Sequence, residues 1–343
     1  MNISAPATAY LAMLAATIGV VLALAFTFNA AVDPLWFYGG NHLGTVNFAF
    51  NERISKANRI AGHERDYDCV IFGDSRVTLL PEGKIEGYRC YNFAFSSGTV
   101  QEFVDYAHWL KARGFAPKLV VVGLSAGDFR AVTSPRNTPD FVRELRNPPS
   151  AFISYLSLDV LGMSWRTLFG QSPVDRLYDR NFRCRAAFPD HRYDPRVPIR
   201  DLMTGPFDNR APIALYRELH EVFPGARYVG YASPLSAWAI EKYAEVGWLE
   251  SYTGAIHDAS AIFERFLDYS VPSPMTVDPG ATYDGTHYKE TSNEVIAANL
   301  VDGAPGAALD LKEMTAKEML AAYRSRLAAF APALRLGGDE AAR

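Results

Sequence analysis

The sequence predicts an α/β protein that has a central, mostly parallel sheet and is preceded by one transmembrane helix. Two observations predict the sheet: short apolar runs alternate with helical patterns in the middle of the chain, and the runs end at turn-forming residues. A third predicts the transmembrane helix, because residues 2–32 contain no Asp, Glu, Lys or Arg. The 343 residues leave room for one large domain or two smaller ones.

The first predicted element is the membrane anchor, assigned to residues 8–30. Its apolar centre, Tyr10–Phe26, is long enough to cross a hydrocarbon core of about 30 Å as a helix. A cleavable signal peptide is the alternative, but the positively charged segment that begins such peptides is missing. Either interpretation exports the rest of the chain. The positive-inside rule gives little guidance on orientation, because Arg53 is the first basic residue.

Composition excludes several classes of protein. A mean hydropathy of −0.06 excludes a polytopic membrane protein. The 34 Lys and Arg against 38 Asp and Glu argue against an obligate nucleic-acid binder, which needs a basic face. Three cysteines are too few for a disulfide scaffold. Cys69 and Cys90 fall in neighbouring predicted strands, where they form either a disulfide in an oxidising compartment or two small buried side chains.

A connector is predicted at residues 31–62 and an α/β domain at residues 63–310. An insertion at about 133–210, rich in Pro, Arg and Asp, interrupts this domain and contains one apolar stretch, Phe152–Met163, predicted as a short helix. The elements predicted before the insertion are the strands Asp68–Phe72, Cys90–Phe95 and Leu119–Leu124 and the helix Gln101–Arg113.

After the insertion the same alternation resumes. The predicted elements there are the helix Ala211–Val222, the strand Ala226–Tyr231, and the helices Pro234–Trp248, Ala255–Asp268 and Ser292–Leu300. Residues 311–343 are predicted as a C-terminal helix, Lys312–Phe330, which Pro332 ends, followed by a tail.

The first predicted strand leads into Gly73-Asp74-Ser75-Arg76, a turn that is predicted to precede a helix. A serine in such a turn exposes its hydroxyl at the carboxyl edge of a parallel sheet. Its own N–H group and those of the helix start would then face a developing oxyanion. Ser75 is therefore the candidate nucleophile.

A serine nucleophile needs a base, and the base needs an orienting partner. Among seven histidines, His287 is the candidate base because it ends the loop Asp284-Gly285-Thr286-His287. Asp284 can accept the Nδ1–H of His287, which leaves Nε2 free for the serine. The alternative interpretation is a turn stabilised by the Asp284 side chain, with a histidine on the surface.

The motifs at 73–76 and 284–287 together resemble the SGNH (GDSL-like) hydrolase superfamily, and the block Asn92–Thr99 resembles its second conserved block. Within that superfamily, the sequence is more similar to the membrane-anchored branch. This branch includes proteins that O-acetylate alginate and other exported polysaccharides or transfer D-alanyl groups to teichoic acids. The resemblance implies a three-layer α/β/α sandwich and catalysis by Ser75, Asp284 and His287, without a metal or cofactor.

The sequence departs from the family at the oxyanion hole. Ser97 stands where the second block usually has its oxyanion glycine, and Gly98 follows. The predicted oxyanion donors are therefore the N–H of Ser75 together with that of Gly98 or Ser97. The third block usually carries an asparagine that is absent from this chain, and Ser125 is the candidate replacement.

Three further residues are candidates for substrate binding: Arg76, Ser125 and Asp128. Arg76 follows the nucleophile and is suited to an anionic acyl or sugar group. The alternative for Arg76 is a salt bridge to carboxylates of the insertion.

Residues and resemblance together predict an O-acyltransferase or esterase anchored in the bacterial inner membrane, with its domain on the periplasmic side. Its substrates would be ester-linked acyl groups, acetyl first, of an exported or cell-surface polysaccharide. The expected partners are a polysaccharide or oligosaccharide acceptor and a polytopic membrane O-acyltransferase, and no nucleic acid. A non-catalytic scaffold or glycan-binding subunit of a modification complex is the alternative, which the missing third-block asparagine favours.

Overall fold

The fold is that of a computed structural model, which describes residues 5–129, 137–171, 174–197, 199, 207–208 and 210–340. Two compact units are present. The smaller comprises Met1–Ala61 and Asn147–Ala187, and the larger comprises Gly62–Arg146 and Phe188–Arg343.

Helices and strands are numbered in chain order. The helices are α1 (Ala5–Val32), α2 (Glu52–Ile60), α3 (Val100–Ala112), α4 (Asp140–Arg143), α5 (Ala151–Tyr155), α6 (Leu158–Leu168), α7 (Arg210–Val222), α8 (Ala237–Glu245), α9 (Leu249–Ser260), α10 (Glu290–Asn299) and α11 (Ala316–Glu340). The strands are β1 (Val46–Phe48), β2 (Cys69–Phe72), β3 (Cys90–Asn92), β4 (Leu119–Leu124), β5 (Arg176–Asp179), β6 (Cys184–Ala186), β7 (Arg227–Ala232), β8 (Arg265–Asp268) and β9 (Leu309–Asp310).

Helix α1 opens the smaller unit. Within the described part of the chain, it is the one helix long and apolar enough to cross a membrane, over Pro6–Val32. Its side chains are exposed from Thr8 to Leu24, whereas most of those from Ala25 to Val32 are half-buried or buried. The apolar helix therefore enters the folded unit through its last two turns.

The smaller unit joins two segments that the sequence analysis separates as connector and insertion. β1 pairs antiparallel with β5, and β5 with β6, so both segments contribute to one three-stranded sheet. Aromatic rings stabilise this arrangement: Trp36 packs edge-on to Phe182 at 4.6 Å between ring centroids, and Tyr178 stacks on Phe182 at 4.5 Å. Residues 31–62 thus carry a strand and a helix of a compact unit, which differs from a simple connector.

The larger unit contains a six-stranded sheet in the order β3-β2-β4-β7-β8-β9. All pairs are parallel except β8 with β9. Every residue of β2 and β4 is buried, as expected for strands in the interior of a parallel sheet, and the three residues of the edge strand β3 are buried as well. The prediction of an α/β protein with a mostly parallel sheet is confirmed, as are the strands predicted where β2, β4 and β7 lie.

Two elements predicted after the insertion differ from the structure. Ala255–Asp268 is predicted as one helix, but α9 ends at Ser260 and the last four residues form β8. The tight packing of Phe266 against Gly230 of β7 explains the strand, because a Cβ at Gly230 would lie 2.6 Å from the Phe266 ring. Helix α11 continues through Pro332, where the prediction ends it. The buried Leu334 holds this last part, since its carbonyl accepts a hydrogen bond from Trp238 Nε1 at 3.0 Å.

A disulfide joins Cys69 and Cys90, which face each other across β2 and β3. Both cysteines are buried. Of the two alternatives that the sequence leaves open, the bridge is therefore the one formed. The bond closes a loop of 21 residues, which restricts the unfolded chain.

Replacing Cys69 and Cys90 together by alanine is expected to lower the free energy of unfolding of the larger unit by about 3 kcal/mol, because the open loop regains entropy in the unfolded state. Guanidinium titration of the detergent-solubilised chain, followed by tryptophan fluorescence, measures this. The matched control is Cys184→Ser, which removes the free cysteine and leaves the bridge intact. Equal unfolding midpoints for the double variant and the control would contradict the prediction.

Candidate active site

Ser75 lies in a turn that directly follows β2. The Val77 N–H donates to the Asp74 carbonyl at 3.0 Å, and the Thr78 hydroxyl donates to the Ser75 carbonyl at 2.9 Å. The α-helix predicted after Ser75 is not formed: successive turns lead to a short 3₁₀ helix, Glu82–Lys84. Pro81 explains this difference, because it has no N–H to continue a helix. The N-terminal end of a helix is therefore not what faces the serine here.

Two glycines and one asparagine hold this turn against the sheet. Val77 is buried between Gly73 and Gly123, where an added Cβ would lie 2.3 Å and 2.4 Å from its Cγ2 atom. Asn92, at the end of β3, donates from Nδ2 to the carbonyls of Val77 at 3.1 Å and Leu80 at 3.0 Å. The turn that carries Ser75 is thus fixed to three adjacent strands.

The side chains of Ser75, His287 and Asp284 form a continuous hydrogen-bonded series. Ser75 Oγ lies 2.7 Å from His287 Nε2, and His287 Nδ1 lies 2.6 Å from Asp284 Oδ2. The histidine side chain is 14% exposed and that of Asp284 is 49% exposed. A serine, an imidazole and a carboxylate in this order can move a proton from the hydroxyl to Nε2 while the carboxylate holds the ring.

The loop Asp284–His287 owes its shape to local hydrogen bonds. Asp284 Oδ1 accepts from the N–H groups of Thr286 at 2.8 Å and His287 at 2.7 Å. Gly285 has a φ of +86°, a conformation that residues with a side chain rarely adopt, and an added Cβ would lie 3.0 Å from Tyr193. Gly285 therefore permits the turn that places the Asp284 carboxylate next to Nδ1 of His287.

The same contacts set the ionisation of Asp284. Partial burial acts to raise the pKa of this carboxyl, but the hydrogen bond and electrostatic interaction with His287 and the two backbone N–H groups outweigh it. The pKa of Asp284 is consequently lowered well below its usual value. Its side chain is thus a carboxylate throughout the neutral range.

Arg76 pairs with Asp74, two residues before it, and this corrects the alternative of a salt bridge to the insertion. Arg76 Nη1 lies 2.6 Å from Asp74 Oδ2, and the Arg76 N–H donates to Asp74 Oδ1 at 2.9 Å. Burial acts to lower the pKa of Arg76, but the carboxylates of Asp74, Asp128 and Asp284 outweigh it and raise that pKa. Arg76 is therefore a cation inside an acidic cluster, which weakens its predicted attraction for an anionic ligand.

Asp128 is the third member of this cluster. Its Oδ2 accepts from the Ser125 N–H at 2.7 Å and from the Tyr216 hydroxyl at 3.0 Å, which ties the loop after β4 to α7. Burial and the negative charge of Asp74 raise the pKa of Asp128 to about 7. Asp128, predicted to bind substrate, is thus half-buried and engaged in hydrogen bonds within the protein.

Asp128→Asn is expected to stabilise the protein at pH 8 by an amount on the order of a few kcal/mol, and not at pH 4. Because the folded-state pKa of Asp128 is raised to about 7, the wild-type protein loses stability as the pH rises from about 4 to about 7. The asparagine oxygen keeps both hydrogen bonds without the charge. Thermal unfolding at both pH values measures the effect, with the exposed Glu313→Gln as the control. An equal gain for Asp128→Asn at both pH values would contradict it.

The second block supplies a tight turn before α3. Ser97 has a φ of +53°, which explains why a glycine suits this position. The Gly98 N–H donates to the Phe95 carbonyl at 3.1 Å, so this predicted oxyanion donor is engaged in the turn. An added Cβ at Gly98 would also lie 2.8 Å from Phe103. Gly98 therefore serves packing in this structure.

A small cleft lies beside the hydrogen-bonded series. It is lined by Arg76, Ser125, Ala126, Ser233, Pro234, Leu235, Tyr243, Tyr252 and Thr286. The hydroxyls of Ser125 and Ser233 are buried, the first beside the Asp74 carboxylate and the second beside the Tyr231 hydroxyl. Because Arg76 and Thr286 are chain neighbours of Ser75 and His287, a group bound in this cleft would lie close to the proposed nucleophile.

All eight predicted site residues are described, and the structure brings them to one end of the sheet in the larger unit. Sequence reasoning assigned no role to Asp74, Thr286 or Ser233. Asp74 and Thr286 belong to the two motifs, so their positions in the sequence pointed to the site, whereas no sequence pattern distinguished Ser233. Within the described ranges, no group of three or more His, Cys, Asp or Glu side chains is placed to hold a metal ion.

Comparison of the chain with models of known protein families, with curated proteins and with solved structures finds no match.

Proposed function

We propose that the protein is a membrane-anchored serine O-acyltransferase or esterase that acts on ester-linked acyl groups, acetyl first, of an exported or cell-surface polysaccharide. The observation that carries the proposal is the series Ser75 Oγ, His287 Nε2 and Nδ1, and Asp284 Oδ2, with spacings of 2.7 and 2.6 Å. Hydrogen bonds of this length are those through which a serine is activated as a nucleophile.

The proposed reaction has two halves. In the first, Ser75 Oγ attacks the acyl carbonyl, its proton passes to His287 Nε2, and His287 then protonates the departing alkoxide. This leaves the acyl group esterified to Ser75. In the second, His287 removes a proton from an acceptor hydroxyl, which attacks the acyl-serine and regenerates the enzyme. A sugar acceptor gives transfer and water gives hydrolysis.

The oxyanion donors of this proposal differ from the first prediction. The N–H of Ser75 remains a donor by its position on the nucleophile. The Gly98 N–H is bonded to Phe95, so its contribution would require sharing that bond. Ser125, with a buried hydroxyl in the cleft, is the proposed replacement for the missing asparagine. One oxyanion donor typically contributes a factor of about 10² to 10³ to the rate. Replacing the asparagine by Ser125 would therefore change the rate more than the mechanism.

The finer architecture and location also belong to the proposal. We propose the three-layer α/β/α sandwich of the SGNH superfamily for the larger unit, supported by the parallel sheet and by the placement of Ser75 after β2. The apolar α1 would anchor the chain in a bacterial inner membrane, with the domain on the periplasmic side. The disulfide suits that oxidising compartment. A polytopic O-acyltransferase would supply acyl groups across the membrane.

A non-catalytic glycan-binding or scaffold subunit is the second candidate. The engaged Gly98 N–H favours it, because a hydrolase of this kind needs that group or a substitute to stabilise the oxyanion.

A fluorophosphonate probe decides between the two candidates. With the full chain in detergent, we expect one covalent adduct, located on Ser75 by peptide mass spectrometry, together with turnover of a chromogenic acetyl ester. Ser325→Ala, an exposed serine of α11, is the matched control and should label normally. The absence of an adduct on Ser75 and of turnover would support the binding subunit. With labelling established, a mass increase of one acetyl group on an oligosaccharide distinguishes transfer from hydrolysis.

A further inference from the structure

Helix α6 of the smaller unit carries large apolar side chains on its outer surface. Leu158, Trp165 and the C-cap residue Phe169 are 83%, 56% and 55% exposed, and their spacing places them along one side of the helix. The Trp165 and Phe169 rings contact each other at 4.5 Å between centroids. The buried residues of the same helix are Val160, Ser164 and Thr167.

This distribution is the reverse of that in a water-exposed amphipathic helix, which buries its large apolar residues. Small hydroxyl residues on the inside and aromatic or aliphatic residues on the outside are typical of helices that pack in or at a bilayer. Helix α5 extends the apolar surface, since Phe152 and Ile153 are 64% and 70% exposed. The exposed side chains of α5 and α6 thus form one candidate lipid-facing surface.

The position of this surface on α1 indicates the depth at which it lies. Both α5 and α6 pack against α1. The Phe152 ring lies 5.8 Å from that of Phe26, and Asn29 Nδ2 donates to the Tyr155 carbonyl at 2.9 Å. The exposed part of α1, Thr8–Leu24, is about 25 Å long at 1.5 Å per residue, close to the thickness of a hydrocarbon core. The boundary of that core therefore falls near Phe26, at the level of α5.

Charge supports the same location. The two segments of the smaller unit contain eight Lys and Arg against five Asp and Glu, whereas the whole chain has a net charge of −4. A locally basic unit next to the end of a membrane span is attracted to anionic headgroups.

We infer that α5 and α6 lie in the interfacial layer of the bilayer spanned by α1, with Phe152, Ile153, Leu158, Trp165 and Phe169 in contact with lipid. This inference rests on the proposed anchoring by α1. It adds a second membrane contact, made by residues 151–169, which resists rotation of the smaller unit about the axis of α1. A protein partner on the same surface is the competing explanation, and lipid vesicles without any partner distinguish the two.

The test uses single cysteines with attached spin labels in the full chain, reconstituted into vesicles of three parts phosphatidylethanolamine to one part phosphatidylglycerol. Cys184→Ser removes the free thiol and leaves the disulfide in place. Labels replace Leu158, Trp165 and Phe169 on the apolar side of α6 and Asp159 on its polar side. Leu22→Cys reports on the span, and Val295→Cys, exposed on α10, reports on water.

The expected result is an oxygen-to-nickel accessibility ratio that is several-fold higher at Leu158, Trp165 and Phe169 than at Asp159 and Val295. If those three positions match Val295 while Leu22 is lipid-exposed, the inference is overturned, the anchor stands, and a protein partner becomes the better explanation. If Leu22 is also exposed to water, the anchor proposal fails and the inference fails with it.

Discussion

Ser75→Ala, His287→Ala and the double variant are each expected to lower kcat for a chromogenic acetyl ester by about 10⁶, with no further loss in the double variant. The reason is the 2.7 Å hydrogen bond between Ser75 Oγ and His287 Nε2. Without the histidine, the hydroxyl keeps its proton, and without the hydroxyl, the histidine has nothing to deprotonate. Steady-state hydrolysis by purified full-length protein measures the three losses.

The controls for this experiment separate catalysis from folding. Ser325→Ala on α11 and His108→Ala on α3 make the same chemical changes at exposed positions and should retain wild-type rates. Thermal unfolding should show that all the variants remain folded. Losses that multiply in the double variant would mean that Ser75 and His287 do not act as one unit, and the proposed mechanism would then be wrong.

Asp284→Asn is expected to lower kcat by about 10⁴ while leaving the fold intact. In the wild-type protein, Asp284 Oδ1 accepts the N–H groups of Thr286 and His287, and Oδ2 faces His287 Nδ1. An asparagine can keep its oxygen on the two N–H groups, which directs its NH₂ group at Nδ1. The imidazole must then carry its proton on Nε2, where it can no longer accept one from Ser75.

The pH dependence checks the role of Asp284 independently. Since its pKa is lowered well below the usual value, protonation of this carboxyl should contribute nothing to the rate profile between about pH 5 and 9. Asp302→Asn, an aspartate with an 81% exposed side chain, is the matched control and should show wild-type kinetics. An Asp284→Asn rate within tenfold of wild type would show that the carboxylate does not hold the productive tautomer.

The sheet of the larger unit was predictable from sequence to a considerable extent. β2 and β4 are continuous apolar runs, and the burial of every residue in them is the property that such runs indicate. β8 was not predictable in the same way, because its apolar residues follow those of α9 without a turn signal that separates the two elements. The three-stranded sheet was still harder to predict from the sequence, since β1 has three residues and its partner β5 lies far along the chain.

Some features of the site were likewise predictable from the sequence, and others were not. The proximity of Ser75 to His287, 212 residues apart, was predicted only through the two motifs. The hydrogen bonds of Asp128 depend on how the loop after β4 packs against α7, which no local pattern encodes, whereas Asp74 stands two residues before Arg76 in the first motif. The turn in place of a helix after Ser75 follows from Pro81, a signal that was present in the sequence.

The two-segment construction of the smaller unit has a consequence for how the chain matures. Asn29 of α1 and Glu52 of α2 find their partners Tyr155 and Tyr178 across 126 residues in each case, so α1 and α2 are synthesised long before those partners. All of residues 62–146, which belong to the larger unit, must be synthesised first. Closing so distant a contact is entropically costly and slow. Until residues 147–187 are present, Ala25–Val32 and β1 therefore remain uncovered by α5, α6 and β5, and a chain that stops before residue 147 never covers them.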